Sequence, residues 1–221
     1  MNYEEFLSRL ISCQKCKRLV EFRSRFPDNY WKRPVPPNGS LDAEIVIIGI
    51  APAPEGGNRT GRMFTGDESG NNLARALYEA GLANQPYSVS KNDNLVLYNI
   101  YITSAVKCAP PNHKPTREEI KNCTEYLKSE IKFLKNAKVF VTLGRVAYET
   151  LISILEELYG IKINKKFLHQ NIIKMEIGNR KIYIITSYHP SPRNVRTGRL
   201  KIEELVKIFE RAKILVEEAR Q

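Results

Sequence analysis

A chain of 221 residues with 42% hydrophobic and 27% charged positions has the makeup of a soluble globular protein built as one α/β domain. No apolar run approaches the roughly 20 residues that span a bilayer, and the start, Met1–Leu7, lacks the basic and apolar regions of a signal peptide, so a cytoplasmic location is expected. The formal charge of +11, from 35 basic and 24 acidic residues, favours a polyanionic partner, nucleic acid before a membrane surface, although a Lys-rich solvated surface gives the same sum.

Tyr3 to Leu10 reads as a short helix leading into Cys13-Gln-Lys-Cys16. Residues 26–42 hold Pro27, Pro34, Pro36, Pro37 and the only tryptophan, Trp31, and read as an ordered crossing loop. Glu44–Gly49 is an apolar strand, followed by a long Gly-rich loop, Gly49–Asp67. A helix over Gly70–Leu82 places Leu73, Leu77 and Leu82 on one stripe. A second strand is predicted over Asn94–Thr103. Thr116 caps a helix that runs to about Lys135, with Glu119 at the capping-box spacing. Lys138–Leu143 is a third strand and Arg145–Leu158 a helix. Arg180–Thr186 is a fourth strand, and Lys201–Glu218 a terminal amphipathic helix. Lys162–Ile177 reads equally well as a short hairpin or an irregular excursion.

Strands alternating with helices imply a mostly parallel sheet covered on both faces, with ligands at the carboxyl ends of its strands. That rule gathers three loops on one edge: Ala51–Asp67, Ser104–Pro115 and Ser187–Arg199. They are also the loops richest in Pro, Gly, His and Arg. The first carries Arg59, Arg62 and Phe64 and ends in Asp67, a mix suited to a polyanion bearing a flat ring. The chain has neither G-x-x-x-x-G-K-[ST] nor a clear G-x-G-x-x-G, which argues against a nucleotide-dependent phosphotransferase.

The four cysteines are Cys13, Cys16, Cys108 and Cys123. Disulfides do not suit a cytosolic chain outside hyperthermophiles, and buried inert thiols are one reading. A four-thiolate metal site fits better, because C-x2-C turns two sulfurs towards one centre. The wide spacing of the second pair tilts the choice towards an iron–sulfur cluster, with zinc the alternative. Either ties the N-terminal segment, residues 1–42, to the rest of a single domain.

His189-Pro-Ser-Pro192 follows the fourth strand. Two prolines stiffen the turn and hold His189 at the edge of the sheet. Ser191 and the arginines 193, 196 and 199 are candidates for phosphate contacts, with a solvated basic rim as the plainer role.

Taken together, Gly49-Ile-Ala-Pro-Ala53, Gly57-Asn-Arg-Thr-Gly-Arg62, Phe64-Thr-Gly-Asp67, Cys108-Ala-Pro-Pro111 and His189-Pro-Ser-Pro192 resemble the uracil-DNA glycosylase superfamily, and most closely its iron–sulfur branch, family 5. The resemblance runs from Cys13 to Arg199. It implies a three-layer α/β/α fold around a four-stranded parallel sheet. It implies a 4Fe–4S cluster on Cys13, Cys16, Cys108 and Cys123. It also implies an enzyme that flips uracil, and other deaminated bases, out of DNA and hydrolyses the N-glycosidic bond; a monomer is expected.

In that reading Asp67 orients the water and His189 stabilises the leaving base. Ala51, Phe64, Ser104 and His113 line the base site. Asn58, Arg59, Arg62, Ser191, Arg193 and Arg199 face DNA. Asp67 is chosen because Ala51 stands where many members carry an acid or amide; its plainer role is a helix cap. Ser104 stands where relatives often have asparagine, which predicts looser base selectivity. Arg193 stands where other members carry a leucine wedge. The competing class is a non-catalytic nucleic-acid-binding module with a structural zinc site, which has no need of the Asp67 and His189 pair.

Overall fold

Four buried apolar runs form the centre of one six-stranded sheet in the computed structural model, which describes residues 1–163 and 166–221. The strands are β1 (Asn38–Gly39), β2 (Ile45–Gly49), β3 (Ile100–Ser104), β4 (Val139–Leu143), β5 (Ile172–Ile177) and β6 (Arg180–Ser187), in the order β1-β3-β2-β4-β6-β5. Strands β3, β2, β4 and β6 run parallel, and β1 and β5 pair antiparallel at the two edges. The expected four-stranded parallel sheet is thus the core of a wider one. Every residue of β2, β3 and β4 is buried, as strands covered on both faces require.

The helices are α1 (Tyr3–Ile11), α2 (Lys17–Ser24), α3 (Gly57–Thr60), α4 (Glu68–Glu79), α5 (Arg117–Phe133), α6 (Arg145–Tyr159), α7 (Pro192–Arg196) and α8 (Ile202–Arg220). Side chains alternate along each strand. Ile45, Ile47 and Val141 therefore face α4 and α8, while Val46, Ile48 and Phe140 face α5 and α6. The result is three layers, α/β/α. A third cluster joins α1 to α5 through Phe6, Leu10 and Tyr126, and the four cysteines belong to it. Among the described residues no helix is long and apolar enough to cross a membrane.

Two expectations change. The strand predicted over Asn94–Thr103 begins only at Ile100, because Asn94 and Asn99 adopt left-handed φ of 62° and 57°. An extended ladder cannot pass through such residues, and only a single bridge from Leu97 to Ala83 remains. The ambiguous segment resolves at its C-terminal end into β5, which folds back on β6 as a hairpin. Asn164 and Lys165, in the same segment, lie outside the described residues. Helix α5 has the predicted capping box, with the Thr116 hydroxyl accepting from the Glu119 amide and the Glu119 carboxylate accepting from the Thr116 amide.

Candidate active site at the carboxyl edge of the sheet

The parallel strands end on one edge, and the loops after β2, β3 and β6 meet there. The loop after β2 is built around Phe64, whose φ of 47° is rare for a bulky residue. Strain of this kind persists only where the surroundings enforce it. The ring reaches Gly49, where an added Cβ would sit 2.8 Å from Phe64 Cε2 and Cζ. The ring also stacks on His189, with centroids 5.8 Å apart and planes 30° apart.

Asp67 closes the loop. One carboxylate oxygen, Oδ1, accepts from the Gly70 amide at 2.8 Å and caps α4. The other, Oδ2, lies over Gly56, where a Cβ would come within 2.5 Å of it. Burial holds this carboxyl above the ordinary range, against the opposing pull of the Gly70 amide, His113 and Arg59. Capping and a second, desolvated oxygen coexist in the same residue. Glu55, the other acid of the loop, is exposed and accepts a hydrogen bond from Tyr30 Oη at 2.5 Å.

His189 is fixed by its backbone. Asn194 Nδ2 donates to its carbonyl at 2.8 Å, and Asn72 of α4 donates to the Pro190 carbonyl at 3.0 Å. Asn72 thereby ties the histidine turn to the helix that Asp67 caps. The imidazole keeps some exposed surface, yet it is densely surrounded. Burial first, and the nearby charge of His113 second, push its pKa down to about 4. The ring is therefore neutral at pH 7, able to donate from one nitrogen without carrying charge.

The other predicted residues divide. His113 is exposed, with φ of 57° beside Asn112 at 54°, and its charge acts on both Asp67 and His189, so it stands at the mouth of the site. Ala51 packs against the cysteine-bearing cluster. Ser104 is 1% exposed, and its hydroxyl donates to the Val106 carbonyl at 2.7 Å, which removes it from the base-reading role expected for it.

Two of the expected DNA contacts are also corrected. Arg62 is buried and pairs with Asp93 at 2.8 Å while donating to Thr65, Ser88 and the Lys91 carbonyl. Its fork is used up inside the protein. Asn58 is 1% exposed, too deep to reach a phosphate, and its amide has no partner among the described residues. Arg59 donates to the carbonyls of Glu55 and Gly66, holding the loop just before Asp67. The Ser191 hydroxyl caps α7 by accepting from the Asn194 amide. Arg193 and Arg199 remain exposed at the rim, Arg199 lying over the Tyr188 ring at 4.4 Å.

Sequence reading missed the groups around the cysteines. All four thiols are free and share one cluster. Arg23 Nη1 donates to Cys108 Sγ at 3.3 Å and Nη2 to the Cys13 carbonyl at 3.1 Å. Asn122 Nδ2 reaches Cys16 Sγ at 3.6 Å. Tyr126 lies beside Cys13, and the Lys107 backbone beside Cys123. Each sulfur thus has one polar neighbour. Arg23 is 6% exposed and has no carboxylate partner among the described residues. A buried guanidinium without a counter-charge is costly, so its surroundings call for anionic sulfur. As free thiols, Cys108 and Cys123 are instead held up at about 12 and about 11, chiefly by burial. A metal–thiolate centre resolves that conflict, and the residues fit one. Among the described residues no three such side chains close to the spacing of a single ion.

The fold and the site define an α/β protein in which a Gly-rich loop and a histidine turn meet at the edge of a mostly parallel sheet. Residues 36–213 match the uracil DNA glycosylase superfamily, and the chain belongs to that superfamily. It is 44% identical over 217 residues to a type-5 uracil-DNA glycosylase of Pyrobaculum aerophilum, covering 95% of this chain and 92% of the relative. It is 39% identical over 224 residues to the type-5 enzyme of Thermus thermophilus, covering 97% and 99%. A type-4 uracil-DNA glycosylase of Saccharolobus solfataricus is more distant, at 32% over 194 residues, covering 86% and 76%.

Proposed function

We propose that this chain is a monofunctional uracil-DNA glycosylase of base excision repair. One observation carries the reading: the half-buried His189 imidazole stacked on the Phe64 ring, with the half-buried Asp67 carboxylate closing the same loop as that ring. A nucleotide rotated out of the helix offers a flat base, which Phe64 receives on its face. As the N-glycosidic bond breaks, negative charge gathers on the base oxygens and positive charge on the sugar. His189 donates a hydrogen bond to the departing base without the charge that water would screen outside the pocket. Ionised Asp67 orients a water towards C1′ and favours the cationic sugar. Hydroxide adds to C1′, the released proton and the base anion give free uracil, and an abasic site is left with the strand intact.

We assign Cys13, Cys16, Cys108 and Cys123 to a 4Fe–4S cluster rather than to zinc, because the second pair of thiols comes from a loop and a helix at wide spacing rather than from a second C-x2-C. Bound there, the cluster supplies a cross-link between the N-terminal segment and α5. DNA is the partner, and a base range that includes hypoxanthine is part of the reading, since Ser104 leaves no directed side-chain contact at the strand end. A panel of duplexes carrying uracil, hypoxanthine or a thymine mismatch tests it. Release of uracil with slower release of hypoxanthine is expected; release of neither sinks the reading.

Two further outcomes follow from the geometry. The excision rate should stay level as pH falls through about 6.5, the ordinary histidine value, because His189 is already neutral. It should fall only as the pH approaches about 4, where His189 protonates; protonation of Asp67, whose carboxyl burial holds above its ordinary range, adds to that loss. The same shift acts on stability. The folded pKa of His189 lies below its unfolded value, so its contribution is full above about 6.5 and is lost between there and about 4. A rate profile with a midpoint near 6.5 would count against a neutral donor. Gly49→Ala should push the Phe64 ring out of its seat. Single-turnover excision should drop at least about tenfold, roughly 1.4 kcal/mol of barrier, with a small change in melting temperature.

A further inference from the structure

Two clefts, of about 750 and about 630 Å³, lie on either side of the crossing segment and share Lys32 and Arg33 in their walls. The first reaches Arg23, beside the cysteines; the second reaches Arg59, whose guanidinium holds the Gly66 carbonyl next to Asp67. Adjoining at Lys32 and Arg33, the two clefts make up a groove with Arg23 towards one end and Arg59 towards the other. Its single acid, Asp28, is paired with Lys32 at 2.7 Å.

Trp31 is the fixed point of this groove. Its amide donates to the Arg59 carbonyl at 3.1 Å and its indole N–H to the Pro34 carbonyl at 3.0 Å. Its ring presses on Gly61, where a Cβ would lie 3.0 Å away. Two cations sit over that ring: Arg33 Cζ at 5.9 Å and Lys91 Nζ at 5.1 Å from the centroid. Both are exposed and neither has an ion pair among the described residues. Lys91 is held there because Arg62 donates to its carbonyl and pairs with Asp93, two residues on. The buried Arg62 thus fixes a surface cation that it cannot replace.

Two like charges resting on one indole repel each other and gain from an anion placed between them. The groove reaches Arg59 in the loop that ends in Asp67, and Asp28 is the one acid among its lining residues. We propose that it carries the DNA strand flanking the excised nucleotide, with Arg33 and Lys91 as phosphate contacts positioned by Trp31. The proposal rests on the glycosylase reading for the identity of the polyanion.

Binding of an undamaged, uracil-free duplex, measured by fluorescence anisotropy over a range of salt, tests it apart from catalysis. Each lost phosphate contact lowers the slope of log affinity against log salt by about 0.9. The double variant Arg33→Ala with Lys91→Ala should lower it by about 2, and the exposed α8 variant Lys207→Ala should leave it unchanged. A slope equal to wild type in the double variant overturns the groove, even if uracil is still excised. A reduced slope in a protein that excises nothing would keep the groove and defeat the glycosylase reading instead.

Discussion

Asp67→Asn is expected to lower the single-turnover rate of uracil excision by about 10²- to 10⁴-fold, the range for loss of a positioned acid or base. Affinity for uracil-containing DNA should change little. The substitution separates the two tasks of this residue. Asparagine caps a helix about as well as aspartate, so the Gly70 amide keeps its acceptor and α4 keeps its start. What disappears is the charge on the second oxygen, the one lying over Gly56. That charge is what orients water and favours a cationic sugar. Equal losses in rate and in DNA affinity would mark Asp67 as a structural residue only. His189→Ala should behave similarly in rate, since it removes the donor to the departing base and the ring that backs Phe64.

Arg23→Met carries the second large effect, and its sign depends on the cysteines. With free thiols, Arg23 is a buried, uncompensated charge, and replacing it with an apolar side chain of similar length raises stability. With metal-bound thiolates, Arg23 is their counter-charge. Removing one partner from a buried ionic contact costs about 3–5 kcal/mol. At about 2–4 °C per kcal/mol for a chain of this size, the melting temperature should fall by about 10 °C. Iron should also be lost more readily to a chelator than from wild type. A variant that melts higher and holds no less metal would contradict a metal–thiolate centre beside Arg23.

Much of the fold was legible in the sequence because its signals are local. Buried β2 and β4 are continuous apolar runs, and Thr116 with Glu119 announces the start of α5. The failures come from backbone conformation and from distant contacts. Asn94 and Asn99 sit inside an apolar run that reads as a strand, and nothing in their neighbours declares their left-handed turns. The short α2 has no side-chain cap at Cys16 to announce it.

At the site, the loop and the histidine turn were legible as compositions, and the structure brings Phe64, Asp67, His113 and His189 together. The errors there concern direction. Arg62 looked like a phosphate ligand because arginines in polar loops usually face water, but Asp93, thirty-one positions away, draws it inward. Ser104 stands where a base reader was expected, yet Val106, two residues on, takes its hydroxyl. Arg23 carried no signal at all, since its meaning depends on Cys108, eighty-five positions later.

Hydrolytic removal of uracil from DNA at the Asp67 and His189 edge can be observed directly. The most direct measurement is release of free uracil from a duplex oligonucleotide by metal-loaded protein under single-turnover conditions, with the strand analysed before and after alkali. Free uracil is expected, with an intact strand before alkali, cleavage at the uracil position after it, and near-complete loss of release in Asp67→Asn. Uracil remaining in the DNA with intact, metal-loaded protein would contradict it.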